Sequence, residues 1–76
     1  MKISEAIPQS HYKLFLRFEN GLSGEVDLSK LAGRGVFSQW REPGMFEQVK
    51  VTEAGAVEWP NELDLCPDAL YMQVSR

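Results

Sequence analysis

The chain is poor in the side chains that most often build metal and redox sites. Its only cysteine, Cys66, excludes an intrachain disulfide, and with a single histidine, His11, it does not supply a usual zinc site. No apolar run reaches 18 residues and no apolar segment follows Met1, so we expect a cytoplasmic protein without a membrane span. No Ser-His-Asp or Cys-His arrangement is evident. We therefore expect neither enzymatic activity nor a cofactor.

Basic residues are also scarce, since eight Lys and Arg stand against eleven Asp and Glu and give a net charge of −3. Nucleic-acid-binding domains usually carry a basic surface, so this balance argues against direct nucleic-acid binding. What the chain does have is an ordinary hydrophobic fraction of 43% in 76 residues. We therefore expect residues 1–76 to form a single domain with a small core.

Residues 12–28 alternate between apolar and polar side chains, which predicts two antiparallel strands. A two-residue turn at Asn20 and Gly21, which this dipeptide normally favours, would place carboxylates opposite leucines on the apolar face. A three-residue loop over 19–21 with Gly21 at positive φ avoids this conflict. The register it predicts sets Leu14 opposite Val26 and Lys13 opposite Asp27.

The same argument applies to residues 49–52 and 56–59, which predict a second hairpin around a three-residue loop ending at Gly55. The predicted pairs are Val51 with Val57 and Lys50 with Glu58. Trp59 then falls on the apolar face, where we expect it, together with Leu70, to contribute much of the stability.

The remaining segments favour short helical turns and edge structure. Residues 1–7 suit a strand that Pro8 either ends or restricts to a sheet edge. Helical turns are predicted over 29–32, 37–41 and 44–48, and these must pack on the sheet because they are too short to be stable alone. Pro67 predicts the start of a closing helix. The expected fold is α+β: a small, mostly antiparallel sheet of two hairpins, with short helices on one face and a C-terminal helix.

Residues 58–68 hold the densest acidic cluster, formed by Glu58, Glu62, Asp64 and Asp68. One interpretation is a cation or small-molecule site. The other, which we favour, is that Asp64 accepts hydrogen bonds from backbone amides of a loop while the other three carboxylates are solvated. The chain lacks the histidines or regular oxygen-ligand spacing typical of a metal site. Cys66, between Leu65 and Pro67, is expected to be a small buried hydrophobe.

Four residues are candidates for binding: Phe15, Trp59, Asp64 and Tyr71. Trp59 and Tyr71 suit either a pocket wall or a core anchor with a wet polar tip, and we favour the core. Phe15 projects from the first hairpin to the face opposite Leu14 and Leu16. Aromatic side chains rimmed by charge are enriched at protein contacts, so we expect Phe15 to contact a second chain, either a copy or a heterologous partner.

The stretch from Trp59 to Tyr71 resembles the signature of domain of unknown function 2442, a family of small bacterial proteins. In that signature a Trp-Pro pair leads to Asp-x-x-Pro-Asp-x-Leu-Tyr, and it is matched here at Trp59, Pro60, Asp64, Pro67, Leu70 and Tyr71. Residues 18–21 and 46–51 match the same family, so the resemblance covers nearly the whole chain. It implies no particular reaction and no residue roles.

The resemblance does imply an accessory or regulatory role. Family members are small stand-alone proteins, which are sometimes fused to helix-turn-helix regions and are often encoded beside another small protein. The preferred hypothesis is accordingly a non-enzymatic protein-interaction or regulatory module, which includes an antitoxin-like role and a homodimer. The alternative is a small-molecule or divalent-metal-binding domain centred on residues 58–68. A ligand that binds only the native state raises its stability, so a thermal-shift screen separates the two hypotheses.

Overall fold

A computed structural model describes residues 1–75, which contain six strands, three 3₁₀ segments and one α-helix. The strands are β1 (Ile3–Gln9), β2 (Lys13–Phe18), β3 (Ser23–Asp27), β4 (Lys50–Val51), β5 (Val57–Trp59) and β6 (Leu63–Leu65). The 3₁₀ segments span Ser10–Tyr12, Gly35–Arg41 and Phe46–Gln48, and the helix α1 spans Pro67–Ser75. Across residues 1–75, no helix has the length and apolar character that a membrane span requires.

The strands form two antiparallel three-stranded sheets, β1-β2-β3 and β4-β5-β6. The predicted α+β class with a C-terminal helix is confirmed. Each predicted hairpin gains a third strand, because β1 joins the first sheet and β6 joins the second. For residues 61–65 the sequence predicts a loop or a short extended piece, because a strand as short as β6 is too short to display a clear period. Pro8 lies within β1, an edge strand, so of the two predicted alternatives it does not end the strand but restricts it to the edge.

Both predicted hairpin registers are confirmed, with Leu14 opposite Val26 and Val51 opposite Val57. The loop of the first hairpin has three residues, since the Phe18 N–H donates to the Leu22 carbonyl at 2.8 Å. Gly21 and Gly55 have φ values of 91° and 82°, a region that only glycine adopts without strain. The burial pattern of the strands therefore outweighs the two-residue turn preference of Asn-Gly.

The core is built from inward-facing side chains of both sheets together with residues of two 3₁₀ segments and of α1. Its centre is an aromatic cluster in which Trp40 contacts Trp59 at a ring-centroid distance of 4.7 Å and Phe46 at 5.0 Å. The other buried apolar residues are Ile3, Leu14, Leu16, Phe18, Val26, Leu28, Ala32, Val57, Leu63 and Leu70. The short helical turns thus contribute large aromatic anchors to the core rather than regular helical structure.

Two of the sequence predictions are wrong in detail. Residues 29–32 form consecutive tight turns, in which the Leu31 N–H donates to the Leu28 carbonyl, and not a regular helical turn. Cys66 is exposed, although we expected it to be buried. In β6 Leu63 is buried and Asp64 is exposed, and the alternation of strand side chains places Cys66 on the same side as Asp64.

Asp27 ends β3 and turns the chain away from the sheet, because its Oδ1 accepts the backbone N–H of Ser29 at 2.9 Å. The Ser29 hydroxyl, and after it the Ser29 backbone N–H, hold the pKa of Asp27 below its ordinary value. Desolvation opposes this shift, while the charges of Lys13 and Lys30 add to it. A depressed folded pKa means that this carboxylate stabilises the fold above its unfolded pKa. That stabilisation is lost as the pH falls through the lower folded pKa.

Replacing Ser29 with alanine is expected to raise the pKa of Asp27 part of the way back, because the interaction with the Ser29 hydroxyl is the largest cause that lowers it, while the backbone N–H of residue 29 still donates to the carboxylate. A carbon-detected NMR titration of the Asp27 carboxyl group measures the midpoint directly. Ser23→Ala, which removes a hydroxyl at the other end of the same strand, is the matched control and should leave the midpoint in place. An unchanged Asp27 midpoint in Ser29→Ala would contradict this account.

Candidate interaction surface

The outer face of the first sheet is the side that points away from the core. Strand alternation assigns it nine side chains in three cross-strand rows, Glu5–Arg17–Ser23, Ile7–Phe15–Glu25 and Gln9–Lys13–Asp27. Seven of the nine are exposed, and the other two, Lys13 and Phe15, are half-buried. We call this set the outer face.

Phe15 lies at the centre of the outer face, with Ile7 on one side and Glu25 on the other. The Arg17 guanidinium lies 5.9 Å from the Phe15 ring centroid, and Arg17 Nε lies 3.2 Å from a Glu5 carboxylate oxygen. This cation–π contact covers part of the ring, while Ile7 beside it remains 42% exposed. The structure therefore places Phe15 opposite the core, with two apolar side chains side by side and charges of both signs around them.

Trp59 is part of the core, with only 1% of its surface exposed. Its indole Nε1–H donates to the Phe46 carbonyl at 2.8 Å, and its ring stacks on Phe46 at a centroid distance of 5.7 Å. The Trp59 ring is therefore packed against other aromatic rings, and its N–H has a hydrogen-bond acceptor inside the protein. The preferred interpretation of Trp59 as a core anchor is confirmed.

Tyr71 joins α1 to the first sheet and is half-buried. Its ring packs edge-to-face on Phe18 at 4.9 Å, and its hydroxyl oxygen accepts a hydrogen bond from Asn20 Nδ2 at 3.0 Å. The sequence favoured this arrangement, in which the ring of Tyr71 packs against the core and its hydroxyl group lies at the surface. Tyr71 thus holds the helix against the loop of the first hairpin, on the side of the sheet away from Phe15.

Asp64 does not have the role that we predicted for it. It lies exposed on β6 opposite Glu58 of β5, and its carboxylate accepts no hydrogen bond from any group of residues 1–75. The expected loop is instead a strand, so the β5–β6 ladder uses backbone amides that a loop would have left free. The prediction that Asp64 satisfies backbone amides is therefore wrong.

The acidic side chains of residues 58–68 are dispersed. Glu58 lies 3.5 Å from Lys50 Nζ, and Asp68 lies 2.9 Å from the amino-terminal nitrogen of Met1. A cleft of about 480 Å³ beside this stretch is lined by Glu58 and Glu62 but not by Asp64 or Asp68. Within residues 1–75 no three metal-ligating side chains come together in one group. The geometry gives the alternative metal-site hypothesis no support.

A second cleft, of about 270 Å³, lies where the β1–β2 turn meets the chain around residues 41–47. His11 and Tyr12 both have φ of 60°, so two consecutive non-glycine residues of the three-residue connection adopt left-handed values of φ. The sequence predicts a turn over residues 8–11, and the structure has the connection between β1 and β2 at residues 10–12. Trp40 lines the cleft, but its Nε1 is enclosed and has no acceptor among residues 1–75. The Trp40 ring therefore forms part of the cleft wall, whereas the Trp40 Nε1–H group is not exposed to the cleft.

Comparison with known proteins adds the family. No curated protein and no solved structure shows significant similarity to this chain. A family model described as "Protein of unknown function (DUF2442)" matches residues 3–75, a span that contains both sheets and all of α1. The chain therefore belongs to the family called domain of unknown function 2442.

Proposed function

We propose that this protein is a non-enzymatic interaction module that binds another protein in the cytoplasm through the outer face of the first sheet. The observation that carries the proposal is the position of Phe15 beside the exposed Ile7, on a sheet face whose side chains are nearly all exposed. Covering these two side chains removes apolar surface from water, which favours association.

The polar surroundings of Phe15 match those of protein contacts. Aromatic residues and arginine are enriched in the centres of interfaces, and Arg17 already lies over the Phe15 ring. Two apolar side chains form a smaller patch than many soluble proteins expose, so the contact must include the surrounding charges. Because acidic and basic groups alternate across the outer face, a partner with the complementary pattern would be steered to it and selected by it.

An antitoxin-like regulatory role is one form of this function, and its support is the family resemblance. In that form, binding to the outer face holds the partner in an inactive state. A second copy of the chain and a different protein are both compatible with the outer face, and the mass of the complex distinguishes them.

Replacing Phe15 with serine is expected to abolish recovery of the partner in a pull-down from native cytoplasm, because the apolar centre of the contact is removed. Val36→Ser is the matched control, since Val36 is 70% exposed and lies outside the outer face, and it should retain the partner. If the partner is a copy, light scattering should show a halved mass for Phe15→Ser alone.

Circular dichroism melts check that both variants fold. Should Phe15→Ser fail to fold, Arg17→Glu reverses an exposed charge on the same face and is expected to reduce partner recovery at least tenfold. Equal partner recovery and equal mass for the wild type, Phe15→Ser and Arg17→Glu would exclude the outer face as the binding surface.

A further inference from the structure

The free edge of β3 presents unpaired backbone groups. The Phe18 N–H donates to the Leu22 carbonyl and the Leu28 N–H donates to the Tyr12 carbonyl, which fixes the hydrogen-bonding phase of the β2–β3 ladder. In an antiparallel pair, alternate residues direct their backbone groups toward the neighbouring strand. The groups that face away from β2 are those of Ser23, Glu25 and Asp27. Their three N–H groups find no acceptor within residues 1–75.

The opposite edge of the same sheet is protected. The same phase directs the backbone groups of Ala6 and Pro8 in β1 away from β2, and proline has no N–H to offer there. The outward N–H of Ile3 donates to the Gly55 carbonyl at 2.9 Å. In the second sheet, the edge strands β4 and β6 have only two and three residues. Folded proteins normally protect their sheet edges by such devices, and β3, with five residues, no proline and no outward N–H that is bonded within residues 1–75, has none of these three.

The charges on β3 indicate what kind of strand can pair with it. Its exposed outer side chains include Glu25 and Asp27. A second copy paired antiparallel about Glu25 would set that carboxylate beside its own equivalent, and like charges directly opposite each other are destabilising. A strand with lysine or arginine at alternate positions would set opposite charges there instead. The edge thus disfavours self-pairing and favours a basic partner.

We propose that β3 accepts an extended basic segment of the partner protein as a fourth strand of the first sheet, with lysine or arginine side chains beside Glu25 and Asp27. This inference rests on the proposed function and names the partner's chemistry. Glu25 is the cross-strand neighbour of Phe15, so the added strand lies at the border of the outer face. Backbone hydrogen bonds hold the segment, and the alternate basic side chains select it.

The probe is a capped seven-residue peptide that alternates lysine and valine, and the control peptide alternates glutamate and valine. With the basic peptide, amide exchange of Ser23, Glu25 and Asp27, followed by NMR, is expected to slow at least tenfold. The amides of Gly24 and Val26, which already face β2, should change little. Unchanged exchange at the three outward amides, or equal slowing by the acidic peptide, would overturn the proposal.

Glu25→Pro tests the edge within the protein. It removes the outward N–H together with the Glu25 carboxylate and leaves the inward-facing backbone groups in place, so the β2–β3 ladder should survive while binding of the basic peptide is lost. Glu25→Lys is the second variant if the proline variant does not fold. Glu25→Lys keeps the N–H and reverses the charge, so this variant is expected to bind the acidic peptide more tightly than the basic one.

The two proposals fail separately. Loss of the partner in Phe15→Ser with no binding of the basic peptide would overturn the added strand and leave the interaction surface standing. The opposite result is that the peptide binds at β3 while Phe15→Ser and Arg17→Glu still recover the partner in full. That result would exclude the outer face as the binding surface and leave the β3 edge as the binding site.

Discussion

Replacing Trp59 with alanine is expected to lower the free energy of unfolding by about 3–5 kcal/mol, the range for deletion of a large buried aromatic side chain. Trp59 is 1% exposed and packs against both Trp40 and Phe46, so the deletion opens a cavity at the centre of the core. A domain of 76 residues has a total stability of about 4–11 kcal/mol. Chemical denaturation followed by circular dichroism should therefore show a variant that has lost a large share of its stability.

The indole hydrogen bond can be separated from the packing with two phenylalanine variants. Trp59→Phe and Trp40→Phe remove the same atoms, but only Trp59 donates a hydrogen bond, to the Phe46 carbonyl. Trp59→Phe should therefore cost about 1 kcal/mol more than Trp40→Phe, because the buried carbonyl loses its partner. Trp59→Ala melting within a degree or two of the wild type would refute its assignment to the core.

Replacing Gly55 with alanine is expected to cost about 2–4 kcal/mol, the sum of an unfavourable backbone conformation and a steric overlap. Gly55 has a φ of 82°, and a Cβ added to it would lie 2.5 Å from Lys2 Cβ and 2.8 Å from Lys2 Cα. Gly55 lies where the two sheets are connected, because its carbonyl accepts a hydrogen bond from the Ile3 N–H. The strain would therefore act on this connection. The loss should appear as a lower denaturation midpoint.

Two other glycines separate these contributions. Gly21 has a φ of 91° but no atom within 4 Å of an added Cβ, so Gly21→Ala should cost only the conformational part, about 1–2 kcal/mol. Gly33 is not at positive φ and also has open space, so Gly33→Ala should be neutral or slightly stabilising. The expected order of destabilisation is Gly55, then Gly21, then Gly33. Equal effects at Gly55 and Gly21 would show that the contact with Lys2 carries no energy.

The candidate surface was only partly predictable from the sequence. The alternation along β2 places Phe15 on the face opposite Leu14 and Leu16, and the structure has it there. The free edge of β3 could not be assigned in the same way. Which strand pairs with β2 on each side, and which amides then face outward, depends on β1 joining the sheet. The position of Pro8 in the ladder has meaning only once that pairing is known.

The sequence alone determined the two hairpin registers and the start of α1. These depend on residues close along the chain: the parity of apolar side chains, a lysine opposite an acidic residue, and a glycine where the loop needs positive φ. Pro67 likewise marks the helix start by its own fixed φ. A short-range pattern is sufficient wherever the partner residues are only a few positions away.

The tertiary structure alone decided what depends on distant residues. β6 is a strand because β5 pairs with it, and its position there exposes Asp64 and Cys66. The two sheets are joined by the hydrogen bond between Ile3 and Gly55, which are 52 positions apart. Short segments have too little pattern of their own to fix such contacts, because their energy comes from surface buried only when the whole chain packs.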